Sequence, residues 1–189
     1  MLIEAGADVN ARDDKGRTPL WHCNDAAAAK ALINACADVN GRDSNGETPL
    51  MRCGSNEDIA KGLIEAGADV NARDNMGMTP LMHCWGGCVI ELLIQAGADV
   101  NARDNVGNTP LMCCYGCDKA KLLIAAGADV NARDGIGMTA LMHCRHAEMA
   151  KLLIEAGADV NARDKGGMTA LELARDDEMK EILKAAGAK

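Results

Sequence analysis

DGIGMTALMHCRHAEMAKLLIEAGADVN, residues 134–161, is the stretch whose reading decides how this chain folds. Asp134 to Met138 reads as a turn, because Gly137 adopts a positive φ without steric penalty. Thr139 stands where a helix N-cap is needed, its hydroxyl expected to accept a backbone N–H. Pro19, Pro49, Pro80 and Pro110 follow the corresponding threonine elsewhere, at a first helical position where a missing N–H costs nothing. A short helix through Leu141, Met142, His143 and Cys144 is expected, then a tight connection at Arg145-His146. Met149, Leu152, Leu153 and Ala156 follow at i, i+3, i+4, i+7, the stripe of a second helix with one buried face. Glu148, Lys151 and Glu155 fall on its opposite face at pairing distance. Gly157 ends it as a left-handed C-cap, and Ala158 to Asn161 leads into the next turn.

The same block recurs six times, with its threonine at 18, 48, 79, 109, 139 and 169. A period of 30 or 31 residues marks an array in which each unit covers its neighbour's apolar face. The units run 10–39, 40–70, 71–100, 101–130, 131–160 and 161–189, preceded by a truncated unit at 1–9, all within one array spanning 1–189. Apolar residues make up 48% of the chain, enough for a continuous core, yet Phe is absent and aromatic residues are only 2%. A core of Leu, Ile, Ala, Met and Cys suits thin, closely packed helices. The last unit carries Glu172, Arg175, Asp176, Asp177, Lys180, Glu181 and Lys184, which fits a capping unit with a solvated outer face.

The segments DNVGNTPL at Asp104–Leu111 and LLIxAGADVNARD at Leu92–Asp104, Leu122–Asp134 and Leu152–Asp164 resemble those of the ankyrin-repeat family. The resemblance covers the whole chain and rests on several fixed positions per unit. It implies an all-α, ankyrin-type helix-turn-helix solenoid with extended loops and β-turns. The family's usual unit is 33 residues, and this one is shortened. Thr139 and Gly157 are 18 residues apart, three fewer than the family pattern. Trp21, Met51, Met82, Met112 and Met142 stand where the family has the histidine of its TPLH segment. The helices are therefore expected to lose nearly a turn in total.

Several function classes fall away on composition. A formal charge of −8 opposes nucleic-acid binding, which needs a basic surface. No apolar run reaches membrane-spanning length, and the start lacks the charge and apolar pattern of a signal peptide. A fragment of a longer array would leave a native N-terminal signal outside this sequence. Of nine cysteines, Cys23, Cys53, Cys84, Cys114 and Cys144 share one position, occupied by Ala174 in the last unit. A column of Cys or Ala calls for a small packed side chain, so a reducing, cytoplasmic compartment is expected. Cys113, Cys114 and Cys117 read CCxxC, but neighbouring helical residues diverge and do not converge on one ion; neither metal nor cofactor is expected. His22, His83 and His143 each precede a column cysteine and diverge from it likewise, which makes them partly exposed helix-face residues, and no enzyme is expected. Arg12, Arg42, Arg73, Arg103, Arg133 and Arg163, each followed by Asp, read as an alternating charge ladder that neutralises itself. The asparagines at 10, 40, 71, 101, 131 and 161 are expected to satisfy loop backbone groups.

What differs between units is free to serve recognition. Turn tips and pre-threonine positions are polar in the first two units, then carry Met76, Met78, Val106, Ile136, Met138 and Met168. An exposed apolar strip marks an interaction site. First-helix ends vary too, with Trp85, Tyr115, Arg145 and Arg175. In ankyrin proteins these two places usually contact partners. The expected role is a non-catalytic scaffold that binds a partner protein on its concave hairpin and first-helix face, through Met76, Met78, Trp85, Val106, Asn108, Tyr115, Ile136, Met138 and Arg145. Arg17, Arg52 and His146 join Asn108 and Arg145 as polar flanks setting register. A monomer is expected, with self-association through the uncapped N-terminal end as the alternative. The competing readings are a metal- or redox-responsive Cys/His-rich protein and an inhibitor or immunity protein for a specific enzyme. Packing of the tips against their own neighbours, with Trp85 filling the space of the missing residues, is the plainer account of the strip.

Overall fold

The threonine-led segment of each block yields at most one helical turn, and the apolar stripe after it yields a nine-residue helix. A computed structural model of the protein describes residues 6–189, and its regular structure there is entirely helical. Residues 1–5 of the truncated unit expected at 1–9, Leu2 among them, lie outside the described residues. The long helices are α1 (Ala26–Asn34), α2 (Glu57–Glu65), α4 (Gly87–Gln95), α5 (Cys117–Ala125), α7 (Ala147–Glu155) and α9 (Asp177–Ala185). The short ones are α3 (Pro80–His83), α6 (Ala140–His143) and α8 (Ala170–Leu173), with a 3₁₀ turn at Pro49–Arg52. At 19–22 and 110–113 the chain only turns. The first helix is thus a single turn wherever it forms, and it stops before the shared Cys position.

The chain divides into two compact units, Met1–Asp99 and Val100–Lys189. In the first, α1, α2 and α4 stack in sequence, and α3 packs on the 3₁₀ turn beside them. In the second, α5, α7 and α9 form one layer, and α6 and α8 form the other. Of the stripe predicted on α7, Met149 and Leu153 are buried, Leu152 and Ala156 are half-buried, and Ala150 is buried beside them. Ile59, Leu63, Val89, Ile90 and Leu93 are buried with Leu50 and Leu81 in the first unit, and Met149 and Leu153 with Leu111 and Leu141 in the second.

The column residues are the clips between successive blocks. In the second unit, Asn131 Oδ1 accepts from Asp159 N at 2.8 Å while its Nδ2 donates to Gly157 O at 3.0 Å. Asn40 does the same to Asp69 N and Gly67 O in the first unit. Each asparagine therefore fastens its loop to the end of the next long helix, further than the loop-local role expected. The arginine column departs from the expected charge ladder. Arg12 donates to Arg42 O at 2.7 Å, and Arg103 and Arg133 donate to the carbonyls of Arg133 and Arg163. The guanidinium satisfies backbone acceptors one block on, because the adjacent aspartate is already committed to its own turn. Asp134 Oδ1, for example, accepts from Ile136 N at 2.9 Å and Met138 N at 2.8 Å. Gly137 closes that turn at φ +86°, a conformation costly for other residues.

The capping role expected of the threonines is corrected in most blocks. The hydroxyls of Thr79, Thr109 and Thr139 are buried without a hydrogen-bond partner among the described residues. The amide each would have capped is taken by the threonine's own carbonyl, as in Met142 N to Thr139 O at 3.0 Å. Thr169 caps as expected, accepting from Glu172 N at 3.3 Å while its own N–H donates to the Glu172 carboxylate. Trp21 N also reaches Thr18 Oγ1, at 3.4 Å. At Thr48 and Thr109 the sulfurs of Met51 and Met112 stand in the place of that glutamate, accepting the threonine N–H at 3.5 and 3.4 Å.

Candidate functional site

The turn aspartates fix the hairpin tips, and the tips leave large apolar side chains in solvent. In the first unit Met76 is 67% exposed, and in the second Val106 is 64% and Ile136 59% exposed. Each sits two residues past an aspartate whose carboxylate holds its backbone N–H, so the side chain is aimed outward by a rigid turn. Met168 is also exposed. Met78 and Met138, two residues further, are half-buried and contribute only an edge. Asn108 is half-buried as well, and its Nδ2 donates to Asp104 Oδ2 at 3.0 Å, so its side chain is spent on the turn.

At the first-helix ends, Tyr115 is 95% exposed and Arg145 is exposed. Trp85 is largely exposed, yet it is also a packing residue. Its N–H donates to Gly54 O at 3.3 Å, and its indole lies over Gly54, where a Cβ would come within 3.1 Å of Nε1. The next residue, Gly86, leaves no room for a side chain at all, since a Cβ there would meet Ser55 at 2.5 Å. Trp85 thus packs one edge of its ring on Gly54, and most of the ring is exposed. Two expected polar flanks are otherwise engaged. Arg17 pairs with Asp13 at 2.7 Å and lies 4.9 Å from the Trp21 ring centroid. Arg52 covers the same ring at 4.7 Å and reaches Glu47 at 4.0 Å. Both guanidiniums serve Trp21, in cation–π geometry.

The histidines are better fixed than helix-face residues. The Nε2 atoms of His22, His83 and His143 lie 3.2, 2.9 and 2.8 Å from the Oδ2 atoms of Asp13, Asp74 and Asp134. Each ties the short helix back to its turn. Burial works to raise the Asp134 carboxyl, and the hydrogen bonds from His143, Met138 and Ile136 overcome it, leaving the group below its ordinary range. The Arg17 side chain above all holds Asp13 well below the carboxylate range. In the first unit Glu47 comes close enough to Asp74 and His83 for their ligand atoms to lie within 4.8 Å of one another. This group was not legible in the sequence, since it requires Glu47 of one block to face the turn of the next. Asp74 is already occupied by His83 and by the amides of Met76 and Met78, so the grouping reads as the framework Asp–His pair with an acidic neighbour.

The CCxxC residues form no such group among the described residues. Burial pushes the Cys53 and Cys114 thiols up to about 12, and both donate to carbonyls, Pro49 O at 3.6 Å and Pro110 O at 3.3 Å. Cys84 is fully buried and donates to Leu50 O. Protonated, hydrogen-bonded thiols of this kind are poor nucleophiles and poor ligands.

The second unit also contains two clefts, of about 280 and 390 Å³, on either side of Arg145. One opens between α6 and α8 with Met142 and Leu173 on its walls and Met179 below. The other opens between the 110–113 turn and α6, walled by Met112 and Tyr115 with Met149 below. No described helix is long and apolar enough to cross a membrane.

No curated protein matches the chain in sequence. Among solved structures, the ankyrin repeat domain of Bcl-3, described as a unique member of the IkappaB protein family, superposes with a TM-score of 0.77 at 24% identity. That match covers 97% of this chain and 89% of the other, and it establishes a shared solenoid fold. The family profile for ankyrin repeats matches three times, over residues 1–74, 72–134 and 115–188, and no catalytic family is indicated. The chain belongs to the ankyrin-repeat family.

Proposed function

We propose that this protein is a non-catalytic scaffold that binds a partner protein through its hairpin tips and first-helix ends. The observation that carries the reading is the exposure of Met76, Trp85, Val106, Tyr115 and Ile136 at positions the framework does not specify. Leaving such side chains in water forgoes about 1.5–3 kcal/mol of burial each, and a partner surface recovers it. Aromatic and Met side chains are enriched at interface centres. The turn aspartates hold the tips before binding, so little ordering entropy is lost on association. Arg145 supports orientation, while Asn108, Met78 and Met138 contribute at the edge. The six units at 10–39 through 161–189 act as one display array, as a monomer, in a reducing compartment such as the cytoplasm. The raised thiols support packing cysteines over a redox-responsive role.

The test is affinity capture from the source lysate, comparing wild type with Met76→Asp plus Ile136→Asp. Loss of the captured partner with an unchanged melting profile is expected. Equal recovery by the folded double variant overturns the apolar tips as the site.

A further inference from the structure

Two clefts in the second unit share Arg145 in their lining. α6 and α8 are four residues each, and the clefts open where they end against the buried start of the following long helix. Met149 and Met179, which begin the buried faces of α7 and α9, become cleft floors. Two apolar depressions result, in successive blocks of the second unit. Arg145 stands on the rim of both, joined by His146 on one and Arg175 on the other.

The charge around these openings is opposite to that of the chain, which carries −8 overall. Arg145 and Arg175 are exposed and have no carboxylate partner among the described residues. In the first unit, by contrast, Arg17 and Arg52 are paired with Asp13 and Glu47. The one acidic residue in the lining, Asp176, keeps its charge while capping Met179 N at 2.7 Å, and Arg145 and Arg175 outnumber it. Unpaired guanidiniums over apolar floors are complementary to a segment that carries both carboxylates and large apolar side chains.

We infer that the clefts flanking Arg145 dock an acidic, extended peptide segment of a partner protein, seating one large apolar side chain in each cleft and placing carboxylates on Arg145 and Arg175. The inference rests on the scaffold reading above and adds the partner's chemistry. Packed helices stand about 8–10 Å apart, and an extended chain covers that distance in about three residues. The two seated side chains are therefore about three residues apart, with acidic residues between and beside them. Tyr115, at the mouth of the second cleft, is free to lie along the bound chain.

The experiment uses a displayed library of random dodecapeptides selected on the immobilised full chain. Selected peptides are remade with a fluorescent label and titrated by anisotropy against wild type, Arg145→Glu, Arg175→Glu and Ala174→Met. The last variant narrows the first cleft from the α8 side. The expected pool is rich in Asp and Glu around a spaced pair of large apolar residues. Its binding weakens about tenfold or more in each charge reversal, weakens in Ala174→Met, and falls as salt rises. Circular dichroism and melting confirm that each variant folds; a variant that does not fold is replaced by Arg145→Ser or Arg175→Ser. Enrichment of neutral or basic peptides, no enrichment, or binding that ignores Arg145 and Arg175 overturns the inference. Failure here with capture still dependent on Met76 and Ile136 removes the acidic peptide and leaves the scaffold standing. Cleft binding without dependence of capture on those tips does the reverse.

Discussion

The pair α6–α7 and the pair α8–α9 share one backbone plan and are held by different chemistry. The inner pair has a buried, unpartnered Thr139 hydroxyl, Met142 at the capping-box position, and His146 at the N-cap of α7 with no side-chain bond. The last pair has the reciprocal Thr169–Glu172 box and Asp176 capping α9. α7 packs against both α5 and α9, whereas α9 packs, among the long helices, against α7 alone. In the inner pair burial on both sides goes without side-chain caps, and in the last pair local hydrogen bonds and a polar face accompany burial on one side; α2, packed on both sides and still capped by Asn56, shows that the two can also add. A repeat fold uses one plan with interchangeable sources of stability.

The largest expected effect tests the packing half of this contrast. Leu153→Ala should cost about 2–5 kcal/mol as a buried truncation, measured by urea denaturation. Leu183→Ala, at an equally buried site on α9, should fall at the low end of that range, because the open side lets the cavity relax. Equal costs would break the comparison. Next in size is the capping half. Thr169→Val should lose about 0.5–2 kcal/mol. Thr139→Val should be neutral or stabilising, since it removes a buried hydroxyl that bonds to nothing among the described residues. Both pairs end on glycines with φ +91°, while the α1 segment ends on Cys36 at φ +62°. Cys36→Gly should therefore gain about 1 kcal/mol, visible as a higher melting temperature.

The smallest effect is a pH dependence. The Asp134 carboxyl is depressed, so the stability it contributes is fully present above its ordinary value of 3.8 and is lost as pH falls below it. His143→Leu copies the last pair, where Leu173 stands at that position. The variant should be less stable at neutral pH and should lose less on acidification below about pH 4. An unchanged acid slope would show that the Asp134–His143 bond carries no linkage.

The long helices were legible because their signal is local: Met149, Leu152 and Leu153 announce a buried face by spacing alone. Exposed tips were legible for the opposite reason, since Met76 and Ile136 break a pattern of polar turn residues. Caps were misread, because a threonine before a helix looks the same whether its hydroxyl or its carbonyl takes the amide. Arg133 was misread as part of a charge ladder, because its acceptor, the carbonyl of Arg163, is set by the register of the next block. The Glu47–Asp74–His83 grouping and the clefts beside Arg145 depend on the same register. Contacts between blocks recur in periodic columns, but the period does not tell which atom of the next block each side chain meets.

The most direct test of the central claim, that recognition occurs on the variable rim, is site-specific photocrosslinking. A photoreactive phenylalanine analogue would replace Tyr115 on the rim or Lys121 on the solvent face of α5, both exposed. Position 115 should give a discrete heterologous adduct and position 121 none. Equal adducts at both, or an adduct from 121 alone, would contradict it.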